Sequence, residues 1–408
     1  MRILWLKTEL LHPVDKGGKI RTYQMLKALK ARHHVTYLTL DDGTAAPDAC
    51  ARAAEYCHDL VTVPHSTNQK FSAGFYAELA RNLASGLPYA IRKYESPRMR
   101  RAVTERAGSP ACDLVVCDFL APSINVPLGL PTATVLFQHN VEAMIWKRHA
   151  EVQRARLKRA YLRREWRLMR TFEARECRRF HYVVAVSPED RETIRREYGV
   201  QTVADVPTGV DVQFFRPAPG AVPEPDSLVF TGSMDWLPNQ DAMSFFVGEV
   251  MPLIAGSRPA VTLTIVGREP SRELQQLARQ NPAIRVTGRV EDVRPYLEKA
   301  AVYVVPIRVG GGTRLKIFEA MAMERPVVST TVGAEGLPVE DGRNMLLADS
   351  AKAFAAAVVT LLSDQGKARD IAEYAARQVR EHYGWDGAAA RFAGICEQAV
   401  RLVRAPVT

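Results

Sequence analysis

The sequence predicts an α/β protein built from two parallel-sheet domains, and three observations support this. Strand-like and helix-like runs alternate along the chain, an order typical of parallel α/β sheets. The length of 408 residues exceeds one typical core. A proline-rich run at 215–225 interrupts the alternation, which then resumes. We therefore predict domains at 1–211 and 226–384, joined by a linker at 212–225.

The individual elements follow from local apolar patterns. Strands are predicted at 2–6, 35–40, 60–63, 113–118, 133–138 and 182–186, and then at 227–231, 261–266, 284–287, 302–305 and 326–329. Helices are predicted from Gly18 onward and at 239–255, 271–280, 292–299 and 313–323. Ligands of such sheets bind at the carboxyl ends of the strands, so site residues are sought there.

Composition narrows the functional classes. The hydrophobic content of 47% and charged content of 25% are typical of a globular protein. The net charge of +10 suggests a nucleotide, nucleic acid or anionic membrane as partner, or only a generally basic surface. The sequence contains no secretory signal pattern and no long uncharged apolar run, and its six cysteines are scattered. We expect a cytoplasmic protein, with Cys117 as a buried thiol.

The segment 146–179 is strongly basic and helical in pattern. Leu157, Tyr161, Leu168 and Phe172 lie near one predicted face, and arginine and lysine cover most of the rest. One interpretation is a solvated helix that packs through its apolar stripe. The other is a patch that faces anionic lipid head groups. Nucleic-acid binding is disfavoured because no aromatic stacking platform accompanies the charge.

The most informative stretch joins the strand predicted at 302–305 to the following helix. Glycines allow close approach of the backbone to a ligand, and a helix start offers free N–H groups to an anion. Positive charge and a glutamate follow within the helix, so the stretch suits a phosphorylated ligand that also carries hydroxyl groups. Its residues are Gly310, Gly311, Gly312, Thr313, Arg314, Lys316 and Glu319.

The second half resembles the C-terminal domain of retaining, nucleotide-sugar-dependent glycosyltransferases of family 4. The matching residues are the run from Gly310 through Glu319 to Ala322, then 326–328, 332–334 and Gly336, with weaker matches at 231–233, 266–268, 17–18, 187–189 and 208–211. The resemblance implies a GT-B architecture, in which two Rossmann-like domains face an interdomain cleft. The first domain would bind the acceptor and the second the donor, and a helix at 385–408 would cross back to the first domain.

The resemblance also implies roles in the second half. Glu319 looks like the glutamate that accepts hydrogen bonds from ribose hydroxyls, although a helix N-terminal glutamate is the plain structural alternative. Position 311 departs from the family, because a glycine replaces its first glutamate. Sugar contacts are therefore expected from the amides of Gly311, Gly312 and Thr313. The diphosphate charge is expected to meet Arg314, Lys316 or Arg268. The remaining predicted donor-site residues are Gly232, Ser233, Asn239 and Gly310.

Four candidates lie in the first half. Gly17 and Gly18 follow the first strand, where they would let the diphosphate approach the backbone or would simply form a turn. His139 follows the strand predicted at 133–138 and looks like the family histidine that contacts the donor sugar or acceptor. Glu142 is a second catalytic candidate, or else the start of the next helix.

These features predict transfer of a hexosyl unit from a nucleotide diphosphate sugar to an acceptor hydroxyl with retention. The resemblance places this in exopolysaccharide or envelope glycolipid biosynthesis. We expect no cofactor, metal or nucleic acid. The expected partners are the donor, a saccharide or lipid-linked acceptor, and an anionic membrane contacted peripherally on the inner face of the cytoplasmic membrane. The alternatives are an epimerase or phosphorylase of the same architecture, and a non-catalytic nucleotide-sugar-binding protein.

Overall fold

The chain forms two compact units, each built around one sheet. The computed structural model describes residues 1–68, 72–153, 155–309 and 315–404, without the side chain of Val152. The first unit contains Met1–Thr208 and the chain from Trp385 onward, and the second contains Gly209–Gly384. The residues predicted as a linker, 212–225, lie within the second unit, where the Glu224 amide donates to the Lys299 carbonyl.

The first unit contains a seven-stranded parallel sheet in the order β3-β2-β1-β4-β5-β6-β7. Its strands are β1 (Arg2–Lys7), β2 (His34–Asp41), β3 (Asp59–Pro64), β4 (Leu114–Asp118), β5 (Ala133–Phe137), β6 (Tyr182–Ala185) and β7 (Val203–Asp205). β1 and β4 occupy the centre, and their side chains are almost entirely buried. The carboxyl ends of β1, β4 and β5 therefore meet in the middle of one sheet edge.

Helices cover both faces of this sheet. They are α1 (Gly17–Lys30), α2 (Ala73–Leu83), α3 (Tyr89–Arg92), α4 (Pro97–Ala107), α5 (Glu142–Val152), α6 (Arg156–Arg179), α7 (Pro188–Tyr198) and the closing helix of the described chain, Trp385–Arg404. The closing helix packs through Phe392 against Trp5 and Phe137, with ring centroids 5.6 and 5.0 Å apart. Burial of such aromatic rings fixes this helix on the first sheet.

The second unit contains a six-stranded parallel sheet in the order β10-β9-β8-β11-β12-β13. Its strands are β8 (Ser227–Thr231), β9 (Thr262–Val266), β10 (Ile284–Val286), β11 (Val302–Val305), β12 (Val327–Ser329) and β13 (Leu346–Leu347). Its helices are α8 (Leu237–Phe245), α9 (Met251–Ser257), α10 (Arg272–Gln280), α11 (Arg294–Lys299), α12 (Leu315–Ala322), α13 (Ala351–Ser363) and α14 (Gln365–His382); the closing helix is α15. The predicted α/β class with two parallel sheets is confirmed.

Most predicted strands match the observed ones within one or two residues, and the differences have local causes. β7 and β13 were not predicted, because three and two residues carry too little alternation to register as strands. The helix predicted at 239–255 is α8 and α9 joined by a π-helical turn at Phe246–Val250. No helix in the described ranges is both long enough and apolar enough to cross a bilayer.

The basic segment 146–179 is not one helix, which corrects the prediction. Gln153 has extended backbone angles at the end of α5, and α6 begins at Arg156. The two helices pack side by side, because the Glu173 carboxylate of α6 accepts hydrogen bonds from the first amides of α5. Leu157 is 90% exposed, so it does not belong to an apolar stripe that packs on the rest of the unit. The buried face of α6 instead includes three glutamates, at positions 165, 173 and 176.

Candidate active site

A buried network around Asp118 lies at the carboxyl ends of the central strands of the first unit. The Lys7 ammonium donates to Asp118 Oδ2 over 2.9 Å and to the Thr22 hydroxyl over 2.8 Å. The Trp5 indole N–H and the Thr22 hydroxyl donate to the same carboxylate oxygen. Burial alone would raise the pKa of Asp118, but Lys7 and His139 hold it below its usual value. The network therefore keeps a carboxylate ionised inside the unit.

His139 lies within this network rather than at the surface. Its side chain is 3% exposed, its Nε2 lies 2.6 Å from Asp118 Oδ1, and the Phe119 ring stacks on it at 3.7 Å between centroids. Burial lowers the pKa of His139 to about 3 against the opposing effect of Asp118, so the imidazole is neutral near pH 7. A carboxylate can only accept, so Nε2–H donates to it. The Nδ1 lone pair is buried and has no hydrogen-bond partner among the residues that the structure describes.

The position of the Phe119 ring explains why a glycine occurs at one of the two predicted glycine positions. Its φ angle of 75° is unusual for a bulky residue and directs the ring between His139 and α1. A Cβ on Gly18 would lie 2.8 Å from the tip of this ring, so any larger residue would require the ring to shift. A Cβ on Gly17 would meet no atom of the described residues within 4 Å. The space beside Gly18 is thus filled by the Phe119 ring, whereas no such contact restricts position 17.

Glu142 begins α5 and remains partly exposed, while burial raises the pKa of its carboxyl to about 7. The amides of Glu142 and Ala143 donate to Glu173 over 2.8 and 2.9 Å, so a buried carboxylate from α6 caps the helix start. Burial raises the pKa of Glu173 to about 8, although the Tyr198 hydroxyl also donates to it. Sequence reasoning missed Glu173 because it grouped the charged residues of α6 as solvent-facing. Its position one residue after Phe172 was the available signal.

In the second unit, the predicted residues at the end of β8 pack tightly together. The Asn239 amide group donates to the Ser233 carbonyl over 2.7 Å. A Cβ on Gly232 would lie 2.7 Å from the same amide nitrogen, and a Cβ on Gly267 would lie 1.7 Å from the Gly232 carbonyl oxygen. The close approach of the β8 and β9 ends therefore requires glycine at position 267, whereas at position 232 a side chain would displace the Asn239 amide.

Two predicted cations converge on this strand end. The Lys316 ammonium, from the start of α12, donates to the Thr231 carbonyl over 2.9 Å and to Asn239 Oδ1 over 3.2 Å. The Arg268 guanidinium, beyond β9, donates to the Ser233 hydroxyl over 2.7 Å. The Asp235 carboxylate lies 3.6 Å from the Arg268 guanidinium and forms an ion pair with it. The sequence did not indicate this ion pair. The two positive groups nevertheless meet at one sheet edge.

Glu319 follows Lys316 by one turn of α12. Its side chain is partly exposed, and no group in the described parts of the chain donates a hydrogen bond to its carboxylate. Burial raises its pKa to about 7, and Lys316 opposes this rise. A carboxylate with unused acceptor oxygens suits a diol. Gly310, Gly311, Gly312, Thr313 and Arg314, by contrast, lie outside the described residues.

The structure thus brings several of the described candidates together within each unit. In the first unit, His139 lies close to Gly18 through the Phe119 ring, and Glu142 begins the next helix. In the second unit, Lys316 and Arg268 meet Gly232, Ser233 and Asn239. Sequence reasoning missed Lys7 and Asp118, which end buried strands and looked like the polar boundaries that follow any strand.

Curated proteins with similar sequences include two bacterial relatives. An uncharacterized 44.6 kDa protein in the cps region of Klebsiella pneumoniae is 23% identical over 164 residues, which cover 38% of this chain and 42% of that protein. The D-inositol 3-phosphate glycosyltransferase of Streptomyces bingchenggensis is 26% identical over 246 residues, which cover 54% of each. The chain therefore spans about half the length of the curated relatives it matches.

Solved structures match over almost the whole chain. Sucrose-phosphate synthase from Thermosynechococcus elongatus has a TM-score of 0.71 at 18% identity and covers 98% of both chains. HepE from Anabaena in complex with UDP has a TM-score of 0.70 at 14% identity, covering 98% of this chain and 100% of its own. HepE in complex with UDP-glucose has a TM-score of 0.67 at the same identity and coverage. These likenesses identify the fold as GT-B.

Family descriptions match both units. Residues 16–214 match Glycosyltransferase Family 4, and residues 225–364 match Glycosyl transferases group 1. The two matches cover most of each unit, and they agree with the fold shared by the solved neighbours. The chain therefore belongs to the group 1 glycosyltransferases of family 4 and has the GT-B fold.

Proposed function

We propose that this glycosyltransferase transfers a hexosyl unit from a nucleotide diphosphate sugar to an acceptor hydroxyl and retains the anomeric configuration. The main support is the cluster at the end of β8, where Lys316 and Arg268 converge beside the backbone of Gly232. Such a pair of cations suits a diphosphate. The structural neighbour HepE binds UDP and UDP-glucose, which is consistent with this donor class.

In this proposal the second unit neutralises the departing diphosphate. Lys316 and Arg268 contact its oxygens, together with Arg314 and the amides of the glycine loop. Arg268 exchanges its present partner Asp235 for the ligand. Glu319 anchors the nucleoside by accepting hydrogen bonds from the ribose hydroxyls. Because charge develops on the leaving oxygen in the transition state, these donors lower the barrier for bond cleavage.

Retention follows when the acceptor attacks the face that the diphosphate leaves. The leaving phosphate oxygen then takes the acceptor proton, so the protein supplies positioning more than acid–base chemistry. The neutral state of His139 agrees with such a role, because its Nδ1 can accept a hydrogen bond from a ligand hydroxyl. Its burial beneath Phe119 means that the ring must shift before a ligand reaches Nδ1.

The test is a thermal-shift screen with UDP-, GDP- and ADP-glucose, followed by transfer to a saccharide acceptor. A donor at about 100 times its dissociation constant should stabilise the protein by about 2.7 kcal/mol. NMR of the product should show the anomeric configuration of the donor. An inverted product would contradict retention. Epimerised nucleotide sugar formed without acceptor would contradict transfer, and the absence of any nucleotide-dependent shift would contradict the donor class.

We further propose that the reaction serves exopolysaccharide or envelope glycolipid assembly at the inner face of the cytoplasmic membrane. The relative from the cps region of Klebsiella pneumoniae supports this setting. On α6, Arg163, Arg167 and Arg170 are exposed and make no ion pair within the described residues. Exposed Leu157 lies on the same helix. Each such cation contributes about 1 kcal/mol near an anionic surface, so the stripe can hold the protein there peripherally.

Co-sedimentation with vesicles of phosphatidylglycerol and phosphatidylcholine tests this contact. The wild type should bind anionic vesicles, and Arg163→Gln/Arg167→Gln/Arg170→Gln should bind at least about tenfold more weakly. A charge-matched control replaces exposed Arg98 and Arg101 of α4 together with Lys27 of α1 by glutamine. Equal binding by both triple variants would contradict a specific role of α6.

A further inference from the structure

Arg21 carries a buried guanidinium that forms no ion pair with any described residue. It lies on α1, its side chain is 6% exposed, and its described hydrogen bond runs from Nη2 to the neutral hydroxyl of Thr208. Its Nε is buried and has no hydrogen-bond partner within the described ranges. It makes no ion pair with a carboxylate in the described parts of the chain. Because a buried charge is costly unless it is paired, this arrangement requires a reason.

The carboxylates near Arg21 form no ion pair with it in the described parts of the chain. Asp118 and Asp190 act on Arg21 electrostatically, yet Asp118 already pairs with Lys7 at 2.9 Å. Burial lowers the pKa of Arg21 to about 10, so it remains protonated near pH 7. His139 is neutral there. Asp118 therefore forms its ion pair with Lys7, and no carboxylate in the described parts of the chain forms one with Arg21.

His139 supplies a second unpartnered polar atom in the same cluster. Its Nδ1 is a buried hydrogen-bond acceptor, and Arg21 is close enough to lower its pKa. Arg21 therefore offers unused donors beside a positive charge, and His139 offers an unused acceptor. Both lie in the first unit: Arg21 precedes Thr22 on α1, and Thr22 and His139 both contact Asp118. A ligand that satisfies both atoms carries an anionic group and a neighbouring hydroxyl.

We propose that the acceptor is an acidic saccharide whose carboxylate or phosphate binds Arg21 while one of its hydroxyls donates to His139 Nδ1. This inference rests on the proposed transferase function, because it names the substrate class of the same reaction. A uronic acid and a sugar phosphate share the required chemistry. Arg21 serves here as a binding and positioning residue, with Thr208 fixing its guanidinium.

The test is isothermal titration of the full-length protein, saturated with its preferred nucleoside diphosphate, with three probes. Glucuronic acid carries the carboxylate, glucose 6-phosphate the phosphate, and glucose neither. At least one acid should bind about tenfold or more tightly than glucose, because hydrogen bonds to charged groups are stronger. The acid that binds identifies the source of the anion. If neither acid binds more tightly than glucose, the inference is overturned.

Substitutions of Arg21 test whether this residue causes the preference for acidic sugars. Arg21→Gln should weaken binding of the acid about 10- to 100-fold and leave that of glucose unchanged, while Arg21→Lys should retain part of the preference. Lys27→Gln removes the same charge from an exposed position of α1 and should change neither. The far-UV circular dichroism of each variant verifies folding. If Arg21→Gln weakened only the nucleotide, Arg21 would be a donor residue and the inference would fail.

The transferase proposal and the acidic-acceptor proposal can be refuted independently of each other. Without nucleotide binding in the donor screen the transferase proposal fails, and the acid titration is then run with the unliganded protein. With nucleotide binding and no preference for acids, the donor class stands and the acidic acceptor is excluded.

Discussion

Replacing Glu319 by glutamine should move stability and ligand binding in opposite directions. In the unliganded protein, burial raises the pKa of Glu319 from 4.5 to about 7. The folded state therefore binds the proton more tightly than the unfolded state. The stabilising contribution of this group is complete below pH 4.5 and is lost as the pH rises to 7. The rise corresponds to at most about 3 kcal/mol, and partial exposure of the side chain lowers this to about 1–3 kcal/mol.

Glutamine at position 319 cannot ionise, so Glu319→Gln does not lose stability at this position as the pH rises. Urea unfolding followed by circular dichroism should show the variant more stable than the wild type by about 1–3 kcal/mol at pH 8 and equally stable at pH 4.5. Other titrating groups are the same in both proteins, so the difference isolates position 319. Glu373→Gln, an exposed substitution on α14 of the same unit, is the matched control and should change neither value.

Binding of the nucleotide sugar should respond in the opposite way. Titration calorimetry at pH 8 should give a dissociation constant at least about tenfold higher for Glu319→Gln, because a charged acceptor is lost. Wild-type affinity should rise from pH 6 to pH 8 as the carboxyl ionises, and the affinity of the variant should not. A variant that is less stable at pH 8 yet binds the donor normally would show that Glu319 is structural and would refute the reasoning.

Three further outcomes are expected. Asp118→Asn leaves the Lys7 ammonium buried without its partner and should lower the free energy of unfolding in urea by about 3–5 kcal/mol. Adding Lys7→Met should restore part of this stability. A double variant with no recovery would argue against the charge pair. Arg314→Ala should lower kcat about 10²- to 10³-fold, and a change below about threefold would remove it from charge stabilisation. Gly18→Ala should destabilise the protein by about 1–3 kcal/mol, because the new methyl group would contact the Phe119 ring. If Gly18→Ala destabilised a Phe119→Leu protein by the same amount, that contact would not be the cause.

Local pattern was sufficient to predict most elements of both sheets. The run at 2–6 is apolar throughout, so its assignment as a buried strand needed no knowledge of its neighbours. The apolar residues of α1 recur every three or four positions, and Met25, Leu26 and Leu29 are buried as that spacing predicts. Short edge strands such as β7 were missed because they carry no comparable repeat.

Local pattern failed where the environment of a charge depends on distant residues. On α6, Glu173 looked like its exposed neighbours, yet it is buried because the start of α5 and Tyr198 supply donors to it. His139 was expected at an open edge, but Phe119 covers it. Such burial depends on which side chains from other elements fill the adjacent space, and sequence spacing does not encode that.

By itself, the sequence determined the alternation of strands and helices, the division into two sheets and the residues of the donor cluster that carry the family resemblance. These properties follow from apolar periodicity and from short motifs, both of which act over a few residues. Only the tertiary structure decided that Asp118 is shared by Lys7 and His139 and that Arg21 Nε is buried without a hydrogen-bond partner among the described residues. Lys7 and Asp118 lie 111 positions apart along the chain, and the pairing of β1 with β4 brings them together.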